Sequence, residues 1–459
     1  MGKPVVIVGA GLAGSEAALQ LARRGIDVVL HEMRPIVETP VHKTSDCAEL
    51  VCSNSLKSTK PESAAGMLKR ELDRLGSALY AEAREHQVAA GGALAVDRVT
   101  FGRAVTELIE TEPRIELRRG EVPTIGEAAR DASVVLLTTG PLTSDSLAES
   151  LSAIVGESLS FFDAAAPIVM ADSLDGSVLF RQSRYEDAKG DDGAPRGDYL
   201  NAPFDKEEYE RFISELVAAE RVMARDFETA ELFQACKPIE EIARKGLDAP
   251  RFGPLKPVGL TDPRTGRRPW AALQLRAEDV AGSSYNLVGF QTNLTFPEQK
   301  RVFRMIPGLE NAEFARYGVM HRNTFIDAPR LLDGSLRLHA QSAVSPDVPI
   351  YVAGQLGGTE GYCEAIRSGL HAAISIAALQ VGAEAPSLPG DTAFGALLAY
   401  ATDPETVNYQ PMHVNFGIMP PLATPIRNKR ERYAAYAERG SQALERYRAQ
   451  LVATGLMEA

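Results

Sequence analysis

The sequence predicts an α/β protein built on a Rossmann-like parallel sheet, with a smaller α/β region inserted into it. Three observations carry that expectation. A glycine turn, Gly9-Ala10-Gly11-Leu12-Ala13-Gly14, stands between a short apolar run at 5–8 and a stretch with helical spacing at 14–24. A second apolar run at 28–30 ends near Glu32, which completes a β-α-β pattern. Far along the chain, Ile350-Tyr351-Val352-Ala353-Gly354-Gln355 repeats the strand-then-glycine style of the beginning.

The elements between follow from local patterning. Apolar residues at helical spacing predict helices through 62–86 and 102–112, and Val134 to Leu137 reads as a buried strand running into Thr138-Thr139-Gly140. Residues 183–197 are charged and glycine-rich, the character of an exposed loop. A helix is expected from about 205 to 228, carrying Phe212, Leu216 and Val222, and an irregular Pro/Gly/Arg-rich segment from 250 to 270. A last buried helix is expected from Tyr362 to Leu379. The two ends of the chain, 1–170 and 315–459 with its C-terminal helices, are expected to form one domain, and 171–314 a second domain inserted into it.

The 459 residues are enough for two or three cores, and 45% hydrophobic with 24% charged residues is ordinary globular composition. The four cysteines, Cys47, Cys52, Cys236 and Cys363, are too few and too scattered for a disulfide framework or a zinc site, so no metal is expected. No apolar stretch approaches the roughly 20 residues of a membrane span, which predicts a cytoplasmic protein without a membrane partner. The net charge of −12 argues at first against a nucleic-acid partner. Local balance differs: nine Lys/Arg face four Asp/Glu between Lys237 and Arg276, and the stretch from Arg427 to Arg448 is also basic on balance. Such runs are commonly solvated surface, and charge alone leaves the partner open.

The glycine turns have a chemical reading. Gly9 permits the tight turn, Gly11 lets the backbone approach a pyrophosphate, and Gly14 allows close helix–strand packing. The helix N-terminus then offers free N–H groups to phosphate. Glu32 lies where a carboxylate accepts from ribose hydroxyls. An FAD extends beyond one β-α-β unit and needs a second glycine turn and helix start near its flavin end. Gly354, Gln355, Gly361 and Tyr362 provide that pattern, and Gly140 marks another crossover beside the cofactor. Together the two glycine sites point to FAD rather than NAD.

Several longer stretches go further. They are Ala48-Glu49-Leu50-Val51-Cys52-Ser53-Asn54-Ser55-Leu56, Cys236-Lys237-Pro238-Ile239-Glu240-Glu241, and Gly289-Phe290-Gln291-Thr292-Asn293-Leu294. Tyr317-Gly318-Val319-Met320-His321-Arg322-Asn323-Thr324 and Asn415-Phe416-Gly417-Ile418-Met419-Pro420-Pro421 complete the set. Together they resemble, along essentially the whole chain, the folate- and FAD-dependent tRNA (uracil-5-)-methyltransferase family called TrmFO. This family is related to the GidA/MnmG wobble-uridine modification flavoproteins. The resemblance implies a flavoprotein of the two-dinucleotide-binding type. It would methylate C5 of uridine 54 in the tRNA T-loop, with 5,10-methylenetetrahydrofolate as one-carbon donor and NADPH or NADH as the source of electrons.

By the same resemblance the reactive thiols are Cys52 and Cys236. One adds to uracil C6, which makes C5 nucleophilic, and the other serves as acid/base or protects the site. Lys237 beside Cys236 raises its expected thiolate fraction and favours it slightly as the attacker. Cys47 and Cys363 read as structural. His321, Arg322 and Asn323 are weaker candidates for binding folate, nicotinamide or RNA, and Gln291 and Asn293 for lining the flavin or base pocket. Arg264, Arg267 and Arg268 near Trp270 are candidates for phosphate contact and stacking on RNA. Three other readings compete: a GidA/MnmG-like wobble-uridine enzyme, a small-molecule flavin oxidoreductase, and a non-catalytic RNA- or flavin-binding protein.

Overall fold

The computed structural model describes residues 2–39, 41–156, 159–185, 197–222, 237–339, 347–406 and 409–458; the side chains of 159–164 and 320–323 are outside that description. A five-stranded parallel sheet forms its centre, in the order Ile350–Val352, Val134–Leu137, Val5–Val8, Val28–Glu32, Ile115–Arg119. The first strand is the axis of the sheet: Val5 pairs with Val28 on one side and Val134 on the other. Val5–Val8 and Val134–Leu137 are buried at every position, as a sheet covered on both faces requires.

The helix expected at 14–24 runs Leu12–Arg23 and crosses the long helix Tyr362–Gln380. The crossing is close because of a glycine: a Cβ at Gly369 would lie 2.1 Å from the Ala13 carbonyl oxygen. The helical patterning over 62–86 is carried by two helices, Ala64–Arg74 and Ala78–Glu85. Gly76 takes a left-handed φ of +69°, and the Ser77 hydroxyl caps the second helix by accepting the Tyr80 N–H, so helical periodicity continues through a turn that the backbone does not. The helix expected at 102–112 begins earlier, at Arg98, because the Asp97 carboxylate caps Val99 and Thr100. The helix expected at 205–228 is Lys206–Ala218, opened by a capping box between Asp205 and Glu208.

A second sheet has six strands in the order Phe180–Arg181, Tyr199–Phe204, Ala271–Ala277, Ser284–Leu287, Ile168–Met170, Phe314–Arg316. All of its pairings are antiparallel. It has its own core, in which Phe204, Phe212, Phe290 and Phe303 pack ring to ring at 5.4 to 6.1 Å. The first core gathers residues 5–154 and 325–437. The chain passes between them along an antiparallel ribbon, Leu159–Ala164 with Met320–Phe325. Helices Ala393–Thr402 and Lys429–Ala453 complete the C-terminal part. Among the described residues no helix is long and apolar enough to cross a membrane.

Candidate active site

The carboxyl ends of the parallel strands open into a cleft of about 1140 Å³, including solvent-open space. Its walls come from both ends of the chain: Gly9, Gly11, Leu12, Ala13 and Glu32 on one side, Gly140 and Thr138 across from them, and Gly354, Gln355, Gly361 and Tyr362 beyond. Each early glycine has a distinct reason. Gly9 has a φ of +102°, and a Cβ there would lie 2.7 Å from the Thr138 carbonyl oxygen. At Gly14 a Cβ would meet the Gly9 carbonyl oxygen at 1.9 Å. Gly11, at the helix start, faces open space, with nothing within 4 Å of where its Cβ would be. Two of these glycines satisfy packing; Gly11 leaves room for a ligand. Ala10 and Gly14 themselves lie behind the wall rather than in it.

Glu32 sits at the end of its strand, 6% exposed, and its Oε2 accepts the Ala10 N–H at 3.2 Å. Oε1 accepts from Arg34, at 3.1 Å from the backbone N–H and 2.8 Å from Nε. Burial works to raise the Glu32 pKa, but the hydrogen bonds and charge of Arg34 outweigh it and hold the carboxyl below its ordinary value. Arg34 also pairs with Glu49 at 3.0 Å. His42, on the same wall, is pushed down to about 4 by burial and then by the Arg34 charge, so it is neutral near pH 7. The rim is thus a fixed anion beside a neutral imidazole. A loop bearing carboxylate and main-chain donors next to an open glycine turn fits the ribose and pyrophosphate of a dinucleotide.

Cys52 is half-buried on a loop beside the far end of the cleft. That loop is held from several directions. The Tyr362 hydroxyl accepts the N–H groups of Cys52 at 2.9 Å and Ser53 at 3.2 Å. Burial, and then charge at Cys52, pushes the Tyr362 phenol well above its usual range, so it stays neutral. Arg98 donates to the carbonyls of Leu50 at 2.8 Å and Cys52 at 3.3 Å, and pairs with Glu278. Arg316 donates to the Val51 carbonyl, and Arg276 to the Asn54 side chain at 2.8 Å. Asn54 in turn donates to the carbonyls of Val96 and Ala277, both at 3.0 Å. Arg276 and Arg316 belong to the antiparallel sheet, so that sheet grips a loop that follows the parallel one. Neither Arg98 nor Arg316 was a candidate from the sequence, and Arg276 was noted only as the end of the basic stretch that begins at Lys237. Asn54 stood inside a quoted motif, but residues 98, 276 and 316 share no spacing that would have found them.

The remaining candidates fall elsewhere. Cys236 lies outside the described residues. Lys237, next to it, has its pKa lowered by burial and then by the Lys245 charge. Cys47 and Cys363 are buried, and burial pushes both thiols up to about 11, in keeping with inert positions. Gln291 and Asn293 are not on the cleft wall; their segment packs on Glu240, whose carboxylate accepts from Asn293 N–H at 2.6 Å and Thr292 hydroxyl at 3.0 Å. The His321, Arg322 and Asn323 side chains are outside the description. Arg264, Arg267, Arg268 and Trp270 are exposed and away from the cleft. Arg264 is paired with Asp262 at 2.9 Å, and the Trp270 ring carries Arg251 3.6 Å from its centroid. Trp270 precedes the strand Ala271–Ala277, so it lies roughly 20 Å along that strand from Arg276 and the cysteine loop.

Residues 4–384 match the family model described as glucose inhibited division protein A. A protein of Geobacter sulfurreducens named methylenetetrahydrofolate--tRNA-(uracil-5-)-methyltransferase TrmFO is 52% identical over 443 residues, covering 96% of this chain and 98% of its own. One of the same name from Desulforudis audaxviator is 52% identical over 453 residues, covering 98% and 99%. Among solved structures, GidA of Aquifex aeolicus superimposes with a TM-score of 0.68 at 16% identity, over 98% of this chain and 78% of that one. That structural likeness bears on the fold alone. The near-complete cover at half identity decides the closer grouping, and the chain belongs to the TrmFO family, within the wider GidA group.

Proposed function

We propose that the protein methylates C5 of uridine in tRNA, at position 54 of the T-loop, taking the one-carbon unit from 5,10-methylenetetrahydrofolate. The spatial observation that carries this reading is the suspension of the Cys52 loop from Tyr362, a residue that is itself a wall of the dinucleotide cleft. A thiol beside a flavin site is what methylation of an unreactive pyrimidine carbon requires.

Uracil C5 is a poor nucleophile. A thiolate adding to C6 makes the ring an enolate whose C5 attacks the electrophilic methylene; a base then takes the C5 proton as the methylene–nitrogen bond breaks and tetrahydrofolate leaves, and once the methylene on C5 is reduced to methyl the sulfur leaves C6. Cys52 and Cys236 are the two sulfurs we assign to these roles. Gly9, Gly11, Leu12 and Ala13 would hold the FAD pyrophosphate at the helix start, with Ala10 and Gly14 shaping the turn behind them. Glu32 would take its ribose, and Gly140, Gly354, Gln355, Gly361 and Tyr362 would hold the flavin end. FAD, when bound, supplies the electrons that complete the methyl group, replenished by NADH or NADPH. The target base must be turned out of the folded T-loop to reach the thiol. Arg264, Arg267, Arg268 and Trp270 stay assigned to outer RNA contacts, since their exposure suits phosphate and base stacking.

The test is to incubate an unmodified tRNA transcript with the purified protein, methylenetetrahydrofolate and NADPH. Nucleoside mass spectrometry should show 5-methyluridine, mapped to position 54. NADPH oxidation without 5-methyluridine would instead mark a small-molecule oxidoreductase.

A further inference from the structure

The motif Asn415-Phe416-Gly417-Ile418-Met419-Pro420-Pro421 has no part in the cleft chemistry above, and the structure gives it a distinct setting. Phe416 stacks on Tyr433 at 4.1 Å and on Tyr436 at 5.3 Å, both from the helix Lys429–Ala453. Arg439 donates to the carbonyls of Pro421 at 2.9 Å and Pro420 at 2.6 Å, and Arg432 to that of Ile426 at 3.2 Å. Lys429 and Arg432 lie over the Tyr433 ring, at 5.4 and 5.8 Å from its centroid. The result is a rigid knob of aromatic rings and prolines, built onto the first turns of one helix.

Its surface charge is unusual for a chain of net charge −12. Residues 427–432 hold four basic side chains, Arg427, Lys429, Arg430 and Arg432, against one acid, Glu431. Arg427, Lys429 and Arg430 are exposed, and none forms an ion pair with a described residue. Lys429 and Arg430 occupy the first turn, where the helix dipole is already positive and cations are disfavoured. Helix stability does not explain that placement. An anionic partner does, because the dipole and the side chains then act on it together.

The knob is also continuous with the candidate active site. Met412 pairs across to Thr359, and the Glu360 N–H donates to the Met412 carbonyl at 3.0 Å. The Val414 N–H donates to Glu364 at 3.2 Å. Glu360 and Gly361 are cleft wall. Phe416 is four residues beyond Met412, at most about 14 Å of chain.

We infer that this knob is a docking surface for the phosphate backbone of the tRNA, set at the flavin-end mouth of the cleft. The inference rests on the tRNA-modifying reading given above. Arg427, Lys429 and Arg430 contact phosphates, and the Phe416–Tyr433–Tyr436 stack anchors the start of their helix and Lys429 rather than stacking on bases itself.

The experiment uses the full chain with FAD and an unmodified tRNA transcript, whose Kd is measured by fluorescence anisotropy between about 50 and 200 mM salt. In the triple variant Arg427→Gln/Lys429→Gln/Arg430→Gln the Kd should rise tenfold or more. The slope of log K against log salt should become shallower by about two to three units. The KM for tRNA rises in step, while kcat at saturating tRNA, the flavin spectrum and the melting temperature stay as in the parent. Should the triple variant melt early, Arg427→Gln alone, which lies before the helix, should still lose about one unit of slope. An unchanged Kd and salt slope overturns the proposal, and so does a change in oligomeric mass by light scattering with tRNA binding intact, which would make the knob a contact between copies. A parent protein that makes no 5-methyluridine sinks the functional reading itself. A parent that methylates while the variant binds equally well sinks only the docking surface.

Discussion

The hydroxyl of Tyr362 accepts the amide N–H of Cys52 at 2.9 Å, joining two residues 310 positions apart. Through this contact the helix that closes the far end of the cleft also fixes the height of the cysteine loop. Replacing Tyr362 by Phe removes the acceptor for two main-chain donors while keeping the ring. Leaving these half-buried donors unsatisfied costs about 1 kcal/mol, so methylation should slow several-fold. Activity equal to the parent, with flavin content matched by absorbance, would show that the loop needs no such support.

Cys52→Ala and Cys236→Ala should each abolish 5-methyluridine formation while the purified protein stays yellow. The residues proposed to hold the flavin include neither cysteine, whereas the proposed C6 adduct needs one sulfur and the acid/base or protecting role the other. Full methylation by both variants rules out the thiol mechanism.

The two early glycines should separate folding from cofactor binding. Gly11→Val places its side chain where nothing lies within 4 Å, so the apoprotein should melt as before but bind no FAD. Gly14→Val drives a Cβ to 1.9 Å from the Gly9 carbonyl oxygen, so melting temperature and FAD should fall together. Retention of FAD by Gly11→Val, read from its spectrum, would mean that the pyrophosphate lies elsewhere.

Glu278 tests the grip of the second sheet on the cysteine loop. Its carboxylate is buried against Arg98, with side chains 7% and 13% exposed. Glu278→Ala leaves a buried guanidinium without its partner, a loss of about 3–5 kcal/mol, and frees Arg98 to let go of the Leu50 and Cys52 carbonyls. The melting temperature should drop, and alkylation of Cys52 by iodoacetamide should speed up. An unchanged alkylation rate in a destabilised variant would restrict the pair to a structural role.

Glu240 gives a pH signature. Burial raises its carboxyl to about 7 from 4.5, although hydrogen bonds from Asn293 and Thr292 pull the other way. The folded chain therefore keeps a proton that the unfolded chain loses across this interval. Its contribution to stability is full below about pH 4.5 and is lost as pH rises through 7. Glu240→Gln should not titrate. The melting temperature of the parent relative to that variant should therefore decline from pH 5 to pH 8; a flat difference would show that the carboxyl ionises normally.

Much of the parallel sheet and its glycine turn could be read directly from residue order. Val5–Val8, Val134–Leu137 and the glycine turn are local signals, because a strand buried on both faces is continuously apolar and a turn at φ +102° calls for glycine. Gly76 and Ser77 show what such reading leaves unplaced: the helical patterning of 62–86 did not locate the break made by one left-handed glycine and one cap. The six-stranded sheet was beyond it, since antiparallel pairing such as Tyr285 with Val169 depends on contacts between distant segments.

Sequence by itself determined the glycine turn, the acidic residue after it, the cysteine motif and, through the length of the matching stretches, the family. Each of these is a run of adjacent residues whose chemistry survives without knowledge of the fold. Only the tertiary structure decided what holds Cys52. Arg98, Arg276, Arg316 and Tyr362 come from four separate segments, and they meet on one loop because two sheets with independent cores pack against it. Charges that converge through space leave no periodicity along the chain, which is why the grip on the thiol could be seen only once the chain was folded.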